Sequence, residues 1–304
     1  MSLVKNIPIP ICGLMLALLS LGNLMQDIHP ALKVVFGGIG LIFLILIVLK
    51  VIIYPDIIRK DFKNPVIVSS SGTFSMSLMI LSTYIIKFSA TIAYTLWIIG
   101  IALHILLMIY FTYHFIAHNF DISYVYPSYW IVFVGITMAT ITSGVQEVSE
   151  IGFNFFIVGF IAMLITLPLV IYRYITHPNV PDANKPLICI FTAVFSILIV
   201  GYLNTSPNMS SEFAVALYAI ACIFYVFALW KFIEYRNLDF YPSFAAFTFP
   251  FVISALATKA IIEKIGFASI LPSVLKIEMV IAVVIVVYVL IRYIRFLKNS
   301  GSRN

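Results

Sequence analysis

The chain has 304 residues, of which 62% are hydrophobic and only 10% charged. Soluble domains carry about 25% charged residues and cannot bury so much apolar surface, so a soluble enzyme or nucleic-acid-binding domain is excluded and a polytopic membrane protein remains. The net charge of +6 is an orientation signal, with no run of the kind that binds nucleic acid.

Hydropathy predicts ten membrane spans, at about 8–26, 31–54, 66–86, 90–116, 127–145, 151–175, 187–205, 212–234, 242–262 and 272–296. The first carries Pro8, Pro10 and Gly22 after Lys5 and lacks a small-residue cleavage pattern, so it reads as an uncleaved span. Ten spans put both termini on the side that holds Lys5, Lys50, Arg59, Lys60, Lys63, Arg173, Lys185, Lys231, Arg236, Arg292, Arg295, Lys298 and Arg303. The other side holds only Lys33, Lys87, Lys259, Lys264 and Lys276, which predicts a multi-pass plasma-membrane protein with cytoplasmic termini.

Each odd-numbered span opens with proline: Pro8 and Pro10, then Pro65, Pro127, Pro186 and Pro242. Proline is favoured in a first helical turn, where its missing donor costs nothing. The register divides residues 1–304, a single transmembrane domain, into five quasi-repeated helical hairpins at about 8–54, 66–116, 127–175, 187–234 and 242–296. Odd spans are rich in Gly, Ser and Thr, as in Ser69 to Ser77, whereas even spans read as Leu41 to Leu49 or Ile281 to Ile291. Small and hydroxylated residues permit close helix packing and also line narrow polar pathways. The expectation is an all-α integral membrane fold with five inner helices around a central pore and five apolar helices outside.

Candidates to line that pore are Ser71, Phe74, Thr137, Thr140, Ser196, Thr248 and Ile253. Between their ends the odd spans hold no Asp, Glu, Arg or His, the residues that mark proton relays and ion-coupled transport, so passive permeation is expected. Every odd span would start at the cytoplasmic face, where helix N-termini each present about half a positive charge and the basic loops add to the field. Anions are favoured over cations there.

The ninth span, 242–262, spends Ser243, Thr248, Ser254 and Thr258 where lipid would favour Leu. In its middle Phe249 precedes Pro250, and an internal proline is expected to bend the helix and present the ring at a kink. The plainer alternative makes Phe249 one of 26 phenylalanines packing the bundle.

Other constellations carry less. His114 and His118 stand four apart in the fourth span, which also holds His104, but no second segment supplies an acidic or thiol ligand. Cys12, Cys189 and Cys222 lie in apolar runs without ligand spacing, and Glu147 with Glu150 reads as solvated loop charge. No phosphate loop or nucleophile elbow is present, so neither enzyme activity nor a cofactor nor a metal is expected.

Four stretches carry a resemblance: Pro10 to Ala17, Asp61 to Val66 running on through Gly72-Thr73-Phe74, Tyr126-Pro127-Ser128, and Ala245 to Pro250. With them the chain resembles the tellurite-resistance/dicarboxylate transporter family, which includes bacterial TehA-like proteins and the slow anion channels of plant guard cells. The resemblance implies ten spans as five hairpins around a pore, a homotrimer in the bilayer, and small inorganic or organic anions as partners. It also implies a gate in the ninth span, at Phe249 beside Pro250 and near Gly13. Asn64, Ser75 and Val194-Phe195 depart from the His, Pro and Pro-Pro common in relatives, changes that bear on the inner kinks. The expected function is an anion channel or channel-like carrier for small monovalent anions. The alternatives are a secondary exporter of C4-dicarboxylate, sulfite or tellurite-like oxyanions and, remotely, an intramembrane histidine metalloenzyme.

Overall fold

Proline and glycine decide where the chain is helical. In the computed structural model, which describes residues 2–266 and 269–301, the α-helices are α1 (Ser2–Asn6), α2 (Ile11–Met25), α3 (Pro30–Ile53), α4 (Pro55–Asp61), α5 (Pro65–Ile85), α6 (Ala90–Phe111), α7 (Tyr129–Phe133), α8 (Thr137–Ser143), α9 (Ser149–Thr176), α10 (Ile190–Thr205), α11 (Ser211–Tyr235), α12 (Phe249–Ile265) and α13 (Leu271–Gly301). Arg303, counted above among the basic residues, lies outside the described residues. A 3-10 turn leads into α10 (Asp182–Cys189) and another into α12 (Pro242–Phe247), and a π-helical turn, Thr112–Ala117, extends α6.

Eight helical segments among the described residues are long and apolar enough to cross a membrane, by length and composition. The expected first and fifth spans are not among them. In the first, Pro8 and Pro10 shorten the α-helix to 15 residues, because Ile11, Cys12 and Gly13 donate to Pro8, Ile9 and Pro10 in i→i+3 bonds. The fifth is two pieces, α7 and α8, separated at Val134-Gly135-Ile136. A Cβ on Gly135 would sit 2.1 Å from the Ile131 carbonyl oxygen and 2.9 Å from His104 Cε1, so only glycine fits this break. The break frees the Val132 carbonyl, and His104 of α6 fills the vacancy with Nε2 at 3.0 Å. A carbonyl only accepts, so Nε2 carries the hydrogen and Nδ1 faces Ser75 Oγ at 2.7 Å.

Burial sorts the spans into two kinds. In α5 and in the segments Asp182–Thr205 and Pro242–Ile265, 78%, 94% and 78% of the most apolar window is buried, against 28% for α3, α6, α9, α11 and α13. The first three are therefore inner and the other five present their apolar side chains outward. Helix α2, buried at 13 positions, is inner too. Neighbours in sequence pack as pairs, α2 with α3, α5 with α6, α8 with α9, α10 with α11 and α12 with α13. The inner members also touch in a closed circuit, α2 to α5 to α8 to α10 to α12 and back to α2.

The entry into each inner segment is irregular and leaves backbone carbonyls without helical partners. Inside a membrane such groups must be met by protein. Side chains near the far ends of the outer helices meet them. Lys50 of α3 donates to the Ile7 carbonyl at 2.6 Å, Tyr110 of α6 to Phe62 at 3.3 Å, Arg173 of α9 to Ser123 at 3.3 Å and Arg292 of α13 to Leu238 at 2.8 Å. In each case the outer helix ties down the entry of its own sequence partner. Asn64 caps α5 directly, its Oδ1 accepting from Val66 N at 2.9 Å.

Arg173 is the most heavily used of these, reaching the Tyr126 hydroxyl at 2.9 Å and the His177 carbonyl at 2.9 Å as well. Arg173→Met keeps the stem but leaves those acceptors unmet, and thermal unfolding in detergent should show a loss of about 1–3 kcal/mol. Arg59, paired with Asp56 in solvent, is the control, and Arg59→Met should cost less than about 0.5 kcal/mol.

Candidate functional site

The inner circuit surrounds a narrow hollow with about 60 Å³ of space open to water-sized molecules. Every buried segment contributes to its wall: Pro10 and Gly13 before and on α2, Ser70 and Thr73 on α5, Trp130 and Gly135 around α7, Ile190 and Val194 on α10, and Phe249 and Pro250 at the start of α12. It lies toward the proline-bearing ends of those segments. No charged side chain lines it, and apolar atoms dominate the wall.

Phe249 reaches the hollow because of how its segment begins. The expected kink at Pro250 is instead a change of helix type at Thr248 (φ −93°, ψ −73°), where the 3-10 turn ends and α12 starts. Pro250 occupies the first turn of α12, a position where its missing N–H costs nothing and a continuous bent helix is not required. This switch separates Phe249 from its neighbours. Phe244, Phe247 and Phe251 are fully buried in a ring cluster, with Phe247 5.2 Å from Phe232 and Phe251 5.5 Å from Tyr225. Phe249 retains 7% exposure, belongs to none of the ring pairs among the described residues, and faces the hollow.

Gly13 shares that hollow, and its closest approach is to the turn before Phe249. A Cβ there would lie 3.2 Å from Ala245 Cβ and 3.5 Å from the Ala245 carbonyl oxygen. Absence of a side chain thus lets α2 press against the 3-10 turn. Thr248 secures the contact from the other side, donating to the Ala245 carbonyl at 2.6 Å with the Gly13 carbonyl 3.3 Å away.

The remaining sequence-predicted lining residues lie elsewhere. Ser71 and Phe74 face a second, apolar groove between the α2–α3 and α5–α6 pairs, whereas Ser70 and Thr73, one position earlier, line the hollow. Thr137 and Thr140 are buried between α8 and its neighbours, with Thr137 against the backbone of Gly159 and Gly201 and Thr140 against Gly201. Ser196 joins α10 to α12, its Oγ 3.1 Å from that of Ser254. Ile253 is buried one turn beyond Phe249, outside the hollow's lining.

Two lining residues outside the expected set carry unpartnered polar groups. Trp130 Nε1 and Ser243 Oγ are buried without a hydrogen-bond partner, while both residues line the hollow. Ser70 and Thr73 by contrast donate back into α5, to Val66 at 2.8 Å and Ser70 at 2.7 Å. The wall thus carries no carboxylate, and two of its residues hold unspent N–H and O–H donors, an arrangement suited to an anion that has shed part of its water. The place of Trp130 just after Pro127 is the sequence signal for it; Ser243 reads in sequence only as one polar residue of its span.

The histidines do not converge. His104 is held as described, His118 Nδ1 faces the Tyr113 carbonyl at 2.8 Å, and His114 packs 4.3 Å from the Tyr110 ring. No three His, Cys, Asp or Glu side chains among the described residues form a group that could hold a metal.

Comparison with known proteins gives a consistent picture. Residues 6–294 match the family described as voltage-dependent anion channel. Two proteins of Methanocaldococcus jannaschii, both named uncharacterized transporters, are similar to the chain. One is 25% identical over 252 residues, covering 74% of this chain and 73% of its own length. The other is 26% identical over 262 residues, covering 74% of each.

The geometry separates hydroxyls that sit side by side in sequence. In a background without Cys12, Cys189 and Cys222, Thr73→Cys and Ser70→Cys should react with a small charged thiol reagent applied from the proline-bearing side. Thr140→Cys, buried between helices, should stay unreactive, and Ser71→Cys should react only with a membrane-permeant reagent. Equal labelling of Ser70→Cys and Ser71→Cys would contradict the assigned face.

Proposed function

The chain belongs to the voltage-dependent anion channel family, and on that premise we propose that it is a membrane channel or channel-like carrier for small monovalent anions, with the Phe249 ring as its gate. One observation carries the reading: Phe249, Pro250 and Gly13 share the wall of a charge-free hollow to which all five buried segments contribute. The permeation path runs along the axis of the inner circuit, and the pairing of inner with outer helices supports a ten-span arrangement of five hairpins. The bias of basic residues toward the proline-bearing side supports cytoplasmic termini in the plasma membrane. The assembly is a homotrimer.

Permeation needs no titrating group on the path. An anion entering from the basic side meets helix N-termini and the two neutral donors, then a phenyl ring that blocks passage sterically without attracting or repelling charge strongly. With little specific coordination on offer, the barrier is chiefly the cost of shedding water. Permeability should therefore follow ease of dehydration, with large, weakly hydrated anions ahead of chloride and fluoride last. Exchange of dicarboxylate or an oxyanion is the second reading, favoured by the relatives' names as transporters. A strong preference for a divalent dicarboxylate over monovalent anions would select it.

Phe249→Ala removes the ring and no charge, so basal anion conductance should rise at equal expression, with Phe249→Leu intermediate. Phe247→Ala and Phe251→Ala act in the ring cluster and should instead lose about 3–5 kcal/mol of stability without a conductance gain. A bulky neutral residue at position 13 should reclose the Phe249→Ala protein, because it would press on the Ala245 turn. Equal conductance from all three alanine variants, or mere unfolding of Phe249→Ala, would overturn the gate.

A further inference from the structure

An acid sits inside the membrane region, on an outer helix. Glu278 of α13 is 5% exposed, and its Oε2 has no hydrogen-bond partner. Tyr218, Cys222 and Tyr225 of α11 lie within electrostatic reach of it, and Thr258 of α12 is its hydroxyl neighbour. The Tyr225 hydroxyl is likewise buried and unpartnered. Lys276, two residues away on α13, is exposed, and Lys259 of α12 is bound to Asp27 and to Glu263 at 3.7 Å. Among the described residues no ion pair reaches this carboxyl, and the neighbours that influence it are neutral hydroxyls and a thiol. A charged carboxylate in such a place has neither water nor a cation to offset its desolvation, whereas a neutral acid adds a donor that a hydroxyl can accept.

The seam in front of Glu278 runs to the gate segment. Tyr218 and Thr258 hydroxyls are 2.8 Å apart, Thr258 donates to the Ser254 carbonyl at 3.3 Å, and Ser254 donates to the Pro250 carbonyl at 2.9 Å. Ser254 is also held by Thr192 of α10 at 3.0 Å. These residues form one polar strip along α12, four apart, ending at the residue after Phe249. Removing the proton from Glu278 would place a negative charge against this strip and draw the Thr258 and Tyr218 hydroxyls toward it as donors. Their present bonds tie the middle of α12 to α11, and Ser254 carries the strip on to the first turn of α12.

We propose that Glu278 is a proton-binding site, occupied in the packing seen here, whose deprotonation loosens α12 and releases Phe249. Proton occupancy thus keeps the path closed, and alkalinisation opens it. The link to conductance rests on the gate reading above; the proton site itself does not.

The test has two arms. Dicyclohexylcarbodiimide adds only to a protonated carboxyl, so wild-type protein in bilayer discs, treated over a pH series and digested for mass spectrometry, should carry the adduct on Glu278. The adduct should decline as pH rises, while exposed Glu150 stays unlabelled near neutrality. In the second arm, wild-type anion conductance should rise at least about fivefold from acid to alkaline pH, the low end of a coupling between sites. Glu278→Gln, which mimics the neutral acid, should stay low and flat, and Glu150→Gln should follow wild type. A Glu278 that is unlabelled at every pH, or a Glu278→Gln protein with the wild-type pH profile, overturns the proposal. The labelling arm needs neither a current nor a variant, so it stands if Glu278→Gln fails to fold or the channel reading fails.

Discussion

Backbone carbonyls that no helix can satisfy set the terms for this structure. Each inner segment enters irregularly, through proline turns, 3-10 turns or a glycine break, and in hydrocarbon every orphaned acceptor costs several kcal/mol unless protein supplies a donor. The donors come from the partner outer helix. Lys50, Tyr110, Arg173 and Arg292 each reach back to the approach of their own inner partner, and His104 bridges to the broken fifth span. Four of five pairs use the same device with different side chains, Lys, Tyr, Arg and Arg, which indicates that the position of the donor matters more than its identity.

This division of labour explains the neutrality of the hollow. Lys50 and Arg173 are buried, yet both are spent on carbonyls and partners at the periphery, and Arg292 additionally lies 4.9 Å over the Phe244 ring. None of these cations lines the central wall, which keeps the basic field at the mouth and leaves the interior to neutral groups. An interior cation would bind an anion tightly and slow its exit. A neutral wall with sparse donors, Trp130 Nε1 and Ser243 Oγ, favours passage over retention. The 3-10 entry of the ninth span completes the arrangement, because the change of helix type at Thr248 turns Phe249 away from the ring cluster that takes Phe247 and Phe251.

The sequence made the two kinds of helix readable, because lipid-facing spans must be apolar on their exposed sides while inner spans can afford Gly, Ser and Thr. It also marked Phe249 and Gly13 by family resemblance, and both lie on the hollow. It did not show which hydroxyls face inward. Helix α5 is buried nearly all round, so its eight serine and threonine hydroxyls from Ser69 to Thr83 show no polar face, and a shift of one residue separates Ser70 and Thr73 from Ser71 and Phe74. Thr137, Thr140, Ser196 and Thr248 look the same in sequence as lining residues, yet they serve helix contacts. The irregularity expected at Pro250 takes the form of a 3-10 turn followed by a new helix, which periodicity cannot distinguish from a kinked α-helix. Glu278 was not legible in the sequence because it lies on an outer, apolar span and its burial depends on three helices that meet only in the fold.

The central claim is passive anion permeation through a neutral path, and the reversal potential tests it most directly. Purified protein in a planar bilayer, with a tenfold gradient of a monovalent anion salt and equal pH on both sides, should give currents that reverse at the anion equilibrium potential. Imposing a pH gradient at fixed anion gradient should leave that reversal potential where it was, even where it changes the size of the current. A reversal potential that moves with the proton gradient, or that follows the cation, would contradict the account.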